Sequence, residues 1–357
     1  MKALYVSSLH RFSGKTAVCL ALGRRFQREG YRVGYFKPVS GVPWEPIPGQ
    51  SDEDADFVRR TLGLEERLEE LVGLVLAPAV VQDTFVAGPE CDLLPQVLEK
   101  YQRVAANKDV VLLDGGASLR EGLCLGIDPV RMVQALDVPT LAMVRFRNHV
   151  SAADACVAAK RLLGERLIGT VVNVVPDEEV EFFERVCRPG LEERGLAVLG
   201  VVPRREQLQA ISVGELADVL HAEFLTLPEK RDVLIENVVV GAMSAEKALP
   251  RIRRVPGTKA IITGGDRADI QLVALETTIH CMVLTGHLRP VPEVLRRAEE
   301  CGVPVLLVRA NTMETVEGIE RVFGKTRLGQ SAKLEQFEHL FAGHFDFGRL
   351  YRALGLP

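Results

Sequence analysis

The run Ser13-Gly14-Lys15-Thr16 constrains this chain more than any other feature, because the apolar segment Ala3-Leu4-Tyr5-Val6 precedes it and a helix-like stretch begins at Ala17. A strand feeding a Gly-Lys-Thr helix start holds phosphate. Amides at the turn and the helix N-terminus present partial positive charge, Lys15 adds a full charge, and the Thr16 hydroxyl suits the magnesium that accompanies nucleoside triphosphates. The motif is a variant: the common loop reads G-x-x-x-x-G-K-[ST], and Leu9, preceded by Ser8, stands where its first glycine would be. A chance Gly-Lys-Thr is the competing explanation, and the strand before it and the apolar helix after it argue against that.

A chain of 357 residues exceeds one ordinary core and predicts two domains. From residue 1 to about 222, short apolar runs alternate with amphipathic stretches, the pattern of an α/β fold with a mostly parallel sheet covered by helices on both faces. The expected strands are Lys2–Val6, Arg32–Phe36, Val110–Asp114, Thr140–Val144, Ile168–Val172 and Val198–Val202. Ligands of such sheets bind beyond the carboxyl ends of the strands, so Ser13 to Thr16, Lys37, Asp114 and Asn173 are expected to converge on one crevice. The stretch Val42–Ser51, with three prolines, reads as a loop over that edge and a candidate lid.

Composition around Pro228-Glu229-Lys230-Arg231 predicts a boundary, giving domains 1–222 and 233–325, a linker 223–232 and a helical extension 326–357. The second domain is a smaller α/β unit with strands at Val238–Gly241, Ala260–Thr263, Cys281–Thr285 and Val303–Val308. In the extension, the stripe Leu334, Phe337, Leu340 and Phe341 suits packing on a partner subunit, in a homo-oligomer, and equally on its own chain.

A net charge of −4 with interspersed signs offers no face for a polyanion, which excludes electrostatically driven nucleic-acid binding and leaves small molecules or proteins as partners. The seven cysteines are scattered, odd in number and never C-x-x-C, as in a reducing compartment. No uninterrupted apolar run reaches the roughly 20 residues needed to span a bilayer, and the strand-like start lacks the order of a signal peptide. The expected location is the cytoplasm, with no membrane partner. No G-x-S-x-G elbow or His/Cys metal spacing supports acyl transfer or zinc chemistry.

Asp114 closes the run Val110-Val111-Leu112-Leu113 and precedes Gly115-Gly116; a carboxylate there suits magnesium, while a turn-forming Asp before glycine is the alternative. Asp52, Asp54 and Asp56 open an amphipathic helix, where acids complement the dipole; if one completes a metal shell, Asp54 is the choice. Lys37, fixed before Pro38, suits a phosphate or a substrate carboxylate, or is a solvated edge lysine. Asn173 suits a purine edge or a simple turn, and His10 lies inside the phosphate loop. In the second domain Gly264, Gly265, Asp266 and Arg267, with Thr285 and Gly286 ending the next strand, form a possible second ligand site. There Asp266 is expected to cap the helix, and capping alone is the competing reading.

In this order the motifs resemble a known pairing. Residues 1 to about 222 resemble the dethiobiotin synthetase-like P-loop domain through Ser13 to Thr16, Lys37-Pro38-Val39-Ser40-Gly41, Asp54-Ala55, Asp114-Gly115-Gly116, Gly169 to Asn173 and Leu199 to Pro203. Residues 232 to 325 resemble the DRTGG domain, most specifically in Ile262-Thr263-Gly264-Gly265-Asp266-Arg267-Ala268-Asp269-Ile270. The tandem is similar to the N-terminal part of long-form phosphate acetyltransferases, and a chain ending near residue 357 is not expected to carry that activity. The resemblance implies ATP and Mg2+, with Ser13, Gly14, Lys15, Thr16, Ala17, Asn173 and Pro203 at the nucleotide, Asn173 near the base, Thr16, Asp54 and Asp114 around the metal, and Lys37 near the reacting phosphoryl group. The enzyme's loop reads G-T-D-T where this chain has Ser8-Leu9-His10-Arg11, and a glutamate is usual where Asp114 stands. The phosphate side is therefore expected to be kept and the substrate side altered.

The function expected is a nucleotide-binding protein with a regulatory or sensing role through the DRTGG domain. The alternative is an ATP-dependent carboxylate- or carbamate-activating C–N ligase.

Overall fold

β1 (Lys2–Ser8) is buried at every position after the first, as a strand covered on both faces must be. The computed structural model describes residues 1–10, 12–41, 52–88, 91–323 and 331–357. Beside β1 lie β2 (Val33–Gly41), β3 (Val72–Leu76), β4 (Val110–Asp114), β5 (Thr140–Arg145), β6 (Leu167–Val175) and β7 (Val198–Pro203). They form one seven-stranded sheet in the order β3-β2-β4-β1-β5-β6-β7, and every pairing is parallel. The chain winds outward from β1 in both directions, which makes the carboxyl ends of β1, β4 and β5 the place where an open α/β sheet receives a ligand.

All six strands expected in this region form, and β3 is an addition. Its apolar run follows directly on the short helix Leu68–Leu71, and a continuous apolar stretch carries no period that separates strand from helix. Gly73 marks it in space: a Cβ there would meet the Pro38 carbonyl, Val97 and the Phe36 ring. The candidate lid, 42–51, lies outside the described residues.

Two compact units divide the chain, one comprising Met1–Arg204 with Leu328–Pro357 and the other Arg205–Arg327. The second unit is built on a five-stranded sheet. β8 (Ile211–Ser212) and β10 (Leu234–Ile235) form a small antiparallel pair, while β9 (Glu223–Thr226), β11 (Asn237–Val240), β12 (Lys259–Gly264), β13 (Cys281–Thr285) and β14 (Val305–Leu307) form the sheet in the order β11-β12-β13-β14-β9. Side chains alternate between faces with the period of a strand. Ile261, Met282, Leu284, Val305 and Leu307 enter one core, and Ala260, Ile262, Cys281, Val283 and Leu306 enter the other. Residues 223–226, expected to be linker, are β9, antiparallel to β14. Phe224 and Leu225 pack on opposite cores, and the Thr226 hydroxyl accepts from the Val305 amide at 3.0 Å.

The helix Ser331–His344 belongs to the first unit. Leu334, Phe337 and Phe341 of the expected stripe are buried there, so their apolar surface is taken by their own chain and not by a partner. Phe341 stacks on Phe345 at 4.5 Å, the Phe345 backbone bridges to Gly200 of β7, and Glu338 pairs with Arg24 and Arg28 of α1 (Lys15–Arg28). Phe341→Ala should therefore lower the stability of the first unit by roughly 3–5 kcal/mol, the usual cost of emptying a buried aromatic site. Urea unfolding followed by tryptophan-independent circular dichroism checks it, and an unchanged midpoint would mean that the helix does not pack there.

Candidate functional site

The site is assembled where β1 ends. Register places Val6 beside Asp114 of β4 and Ser8 beside Met143 of β5. The chain then turns into α1 through Gly14, whose φ of 92° lies in the left-handed region that disfavours a Cβ. A Cβ at Gly14 would also come within 2.5 Å of the Asn173 amide nitrogen. Gly14 supplies no side-chain cap and the first turn of α1 has no acidic residue, so the positive end of a 14-residue helix is left for an external anion.

Lys15 is buried, and its Nζ donates to Ser8 Oγ at 2.9 Å, which in turn donates to the His10 carbonyl at 2.8 Å. Burial depresses the ammonium's pKa, and Lys37 adds to this against the opposing charges of Asp114 and Glu121. Asp114 is buried at the end of β4. Its Oδ2 accepts from Thr16 Oγ1 at 2.8 Å and from the Tyr35 hydroxyl at 3.0 Å, while Oδ1 is buried with no hydrogen-bond partner among the described residues. Burial raises the carboxyl above its ordinary range, and the nearby charges of Lys37 and Lys15 oppose the rise. Ser13 Oγ is likewise buried without a partner. Buried polar atoms left unspent are costly unless a ligand uses them.

No group of three or more His, Cys, Asp or Glu that could hold a metal occurs among the described residues. Thr16 and Asp114 nonetheless fit magnesium, which binds through one or two carboxylates and completes its shell with phosphate oxygens and water.

Lys37, expected just past a strand end, lies midway along β2, which runs on to Gly41, and it is held by acids. Its Nζ lies 2.8 Å from Asp52 Oδ2 and 3.4 Å from Asp54 Oδ2. Burial alone would lower its pKa, but Asp54, Asp52 and Asp114 outweigh burial and raise it. Asp52 is also the N-cap of α2 (Glu53–Leu62), accepting from the Ala55 amide at 2.8 Å, and Ser40 Oγ donates to its other oxygen. Asp56 turns to Arg59 and Arg60. Of the three acids, Asp54 is the one placed both beside Lys37 and within the field of Asp114, with a half-exposed side chain.

Asn173, at the end of β6, braces the loop. Nδ2 donates to the Ser13 carbonyl at 2.9 Å, and Oδ1 accepts from the Val174 amide at 2.9 Å, where Val174 has a φ of 65°. Ala17 points its methyl into the core, so only its amide is available to a phosphate, and Pro203 ends β7 beside Val175.

Three participants are absent from the sequence expectations. Glu121 accepts from the Ala117 amide and lies against Gly41 and Gly116, with its charge felt at Lys15. Tyr35 alternates inward on β2 to reach Asp114. Arg145 ends β5 and donates to the Phe12 carbonyl at 3.0 Å, where Phe12 has a φ of 57°. Burial lowers the Arg145 pKa, with Arg147 and Arg204 adding repulsion; His10 is lowered by burial, Arg147 and Arg120. This cationic side of the loop is spread over separate strand ends, which no local motif signals.

In the second unit the expected residues gather at the carboxyl edge of the smaller sheet, where Gly264 pairs in register with Thr285. Thr285 Oγ1 lies 2.9 Å from Thr312 Oγ1, and a Cβ on Gly265 would strike the Leu288 carbonyl. Asp266 does not cap the helix: the helix starts at Ala268 with Arg267 at the N-cap position and no side-chain cap. Arg267 instead pairs with Asp269 at 2.9 Å and donates to the Met243 carbonyl at 3.0 Å. Gln271 is fully buried and donates to the Gly264 and Gly265 carbonyls, and its Oε1 has no hydrogen-bond partner among the described residues.

Residues 2–212 match the AAA domain family. The chain belongs to that family. Residues 215–322 match the DRTGG domain. Curated relatives include phosphate acetyltransferases of Pseudomonas aeruginosa, 26% identical over 96% of this chain and 51% of the relative, and of Pseudomonas putida, 23% identical over 100% and 52%. The chain thus spans about half the length of the curated relatives it matches. Among solved structures, cobyrinic acid a,c-diamide synthase from Mycobacterium smegmatis with bound ADP and magnesium overlaps 58% of this chain and 88% of its own, at 12% identity and a TM-score of 0.36. The CBS and DRTGG domains of the Clostridium perfringens pyrophosphatase regulatory region, complexed with diadenosine tetraphosphate, overlap 43% and 71%, at 18% identity and a TM-score of 0.28. No described helix is long and apolar enough to cross a membrane.

Asn173→Ala should leave the Ser13 carbonyl and the Val174 amide unpartnered and cost about 2–3 kcal/mol. Denaturant unfolding measures this, and a loss under 0.5 kcal/mol would deny Asn173 its bracing role.

Proposed function

We propose that the AAA domain binds ATP with magnesium, and that the chain is a regulatory nucleotide-binding protein whose DRTGG domain takes a second small-molecule ligand. The observation that carries the first part is the spare coordination at one point: Asp114 Oδ1 and Ser13 Oγ unspent, the uncapped start of α1, and Thr16 on Asp114. Lys15 and the amides from Gly14 to Ala17 would hold phosphate, Thr16 and Asp114 would hold the metal, and Asp54, whose charge is felt at Asp114, would join them. Bound magnesium would neutralise part of the phosphate charge. The cationic side of the loop at Arg145 and Arg147 favours the same anionic ligand.

The regulatory reading rests on Lys37. Its ammonium is engaged by Asp52 and Asp54, a resting state that restrains it from a transferring phosphoryl group. The ligase alternative keeps one support, that the same lysine is buried beside the phosphate site and would lose one of its two carboxylate partners if Asp54 turned to a metal. For the second ligand, the unpartnered Gln271 Oε1 at the carboxyl edge of the smaller sheet is the supporting observation.

Titration calorimetry with ATP and magnesium should give one site in the first unit, weakened at least tenfold by Lys15→Ala; unchanged affinity would refute the assignment. Phosphate release should stay at background with candidate amines and carbon dioxide, and substrate-stimulated release lost in Lys37→Ala would establish the ligase instead.

Asp114 must be ionised to hold the metal, and its pKa is raised. The magnesium-dependent part of ATP affinity should therefore decline as pH falls, starting above the range of an ordinary aspartate. Asp114→Asn should lack that part at every pH, and parallel pH curves for the two proteins would count against the metal site.

A further inference from the structure

A second chemical constellation lies in the first unit, away from the phosphate loop's own residues. His149 opens the helix His149–Leu163, and Glu179 and Cys187 come from the helical run Asp177–Glu192. His149 Nε2 lies 2.6 Å from Glu179 Oε2, and Cys187 Sγ lies 3.9 Å from His149 Nδ1. In a neutral ring a carboxylate acceptor requires the proton on Nε2, which leaves the Nδ1 lone pair facing the thiol. The run of hydrogen bonds is thiol to imidazole to carboxylate, the order in which a base activates a nucleophile and a third group orients the base.

The local fold holds this order in place. Residues Phe183–Cys187 form a π-helical turn inside the run, a wide turn that natural helices keep mostly where a side chain must be re-aimed. The imidazole is boxed by aromatic rings, with Phe146 at 5.2 Å, Phe182 at 4.4 Å and Phe183 at 6.2 Å. Exposed apolar side chains flank these residues: Phe182, which packs on His149, Val186, which precedes Cys187, and Val150, which follows His149, are 49%, 54% and 71% exposed.

From this geometry we propose that Cys187 is a base-assisted nucleophilic thiol, with His149 as its base and Glu179 as the positioning residue, and that it is modified by apolar α,β-unsaturated carbonyl compounds. In the step, the Cys187 sulfur bonds to the β-carbon and the C=C π pair moves onto the carbonyl-stabilised α-carbon. The thiol proton passes to His149 Nδ1 and then to that α-carbon. No oxidant or leaving group is needed.

Burial raises the Cys187 pKa, so the resting group is a thiol and not a free thiolate. A base acting during attack is then what distinguishes it from the exposed Cys124 and Cys301. Nearby charges are otherwise engaged: Arg188 with Glu184 and Glu192, Arg185 with Glu181, Lys160 with Glu165, and Arg131 of the adjoining helix Pro129–Leu136 with Asp92. Asp154, Cys156 and Arg161 share the helix of His149, Arg145 ends the adjoining β5, and Glu179 is the carboxylate that reaches the ring.

The test is limited labelling of the whole chain with N-ethylmaleimide, with each cysteine quantified by peptide mass spectrometry at pH 6.5 and 8. An unassisted thiol slows about 30-fold over that interval, following its thiolate fraction. Cys187 should slow less than tenfold and outpace Cys124 at pH 6.5. His149→Gln should cut its rate at least tenfold at pH 6.5 and restore the steep slope, and Glu179→Gln should fall between. Protection of the buried Cys19, Cys156 and Cys281 reports that a variant is folded; if it is not, the wild-type slope decides alone. A Cys187 slope as steep as that of Cys124, or a rate below it at pH 6.5, overturns the proposal, as does an unaltered rate in folded His149→Gln.

Discussion

The hydrogen bond from Thr16 to Asp114 is the point on which the first unit depends. It joins the first turn of α1 to the end of β4, two elements 98 positions apart in the chain, and it exists because β4 lies directly beside β1. Asp114 is buried, and an isolated buried carboxylate is costly. Thr16, Tyr35 and the field of Lys15 and Lys37 offset that cost only in part, as the raised pKa of the group shows. The remaining oxygen has no hydrogen-bond partner among the described residues.

Around this bond the charges are arranged in two layers. Lys15 and Asp114 form the inner one, and Lys37 with Asp52 and Asp54 the outer. The outer layer is closed on itself by Ser40 and the cap of α2, whereas the inner layer is left with unspent atoms. This asymmetry is the physical basis for reading binding ahead of turnover. Arg145 at the end of β5 and Arg147 just beyond it place further positive charge beside the loop without belonging to the loop motif itself.

Much of this was legible in the chain. Five of the six expected strands of the larger sheet are internal, and the sixth, β7, is an edge strand buried along its whole length, so their unbroken apolar runs stand out. β3 and β9 escaped because one is an edge strand fused to a helical apolar run and the other is four residues long beside a linker-like composition. The cap at Asp266 failed for a different reason: Arg267 found a better use in Asp269 and the Met243 carbonyl, and the helix began one residue later. Glu121 lies in a turn after β4 with its side chain against Gly41 and Gly116, and no spacing rule marks it.

By itself, the sequence determined the strand-loop-helix at Gly14 to Thr16, because φ preference, helix start and charge are local properties of a few adjacent residues. It also determined the two alternating α/β segments, since periodicity is a property of short windows. Only the tertiary structure decided which acid faces Lys37, that Asn173 grips Ser13, and that the Phe337–Phe341 stripe is covered by its own chain. Those outcomes depend on distances between residues far apart in sequence, which packing sets and composition does not encode.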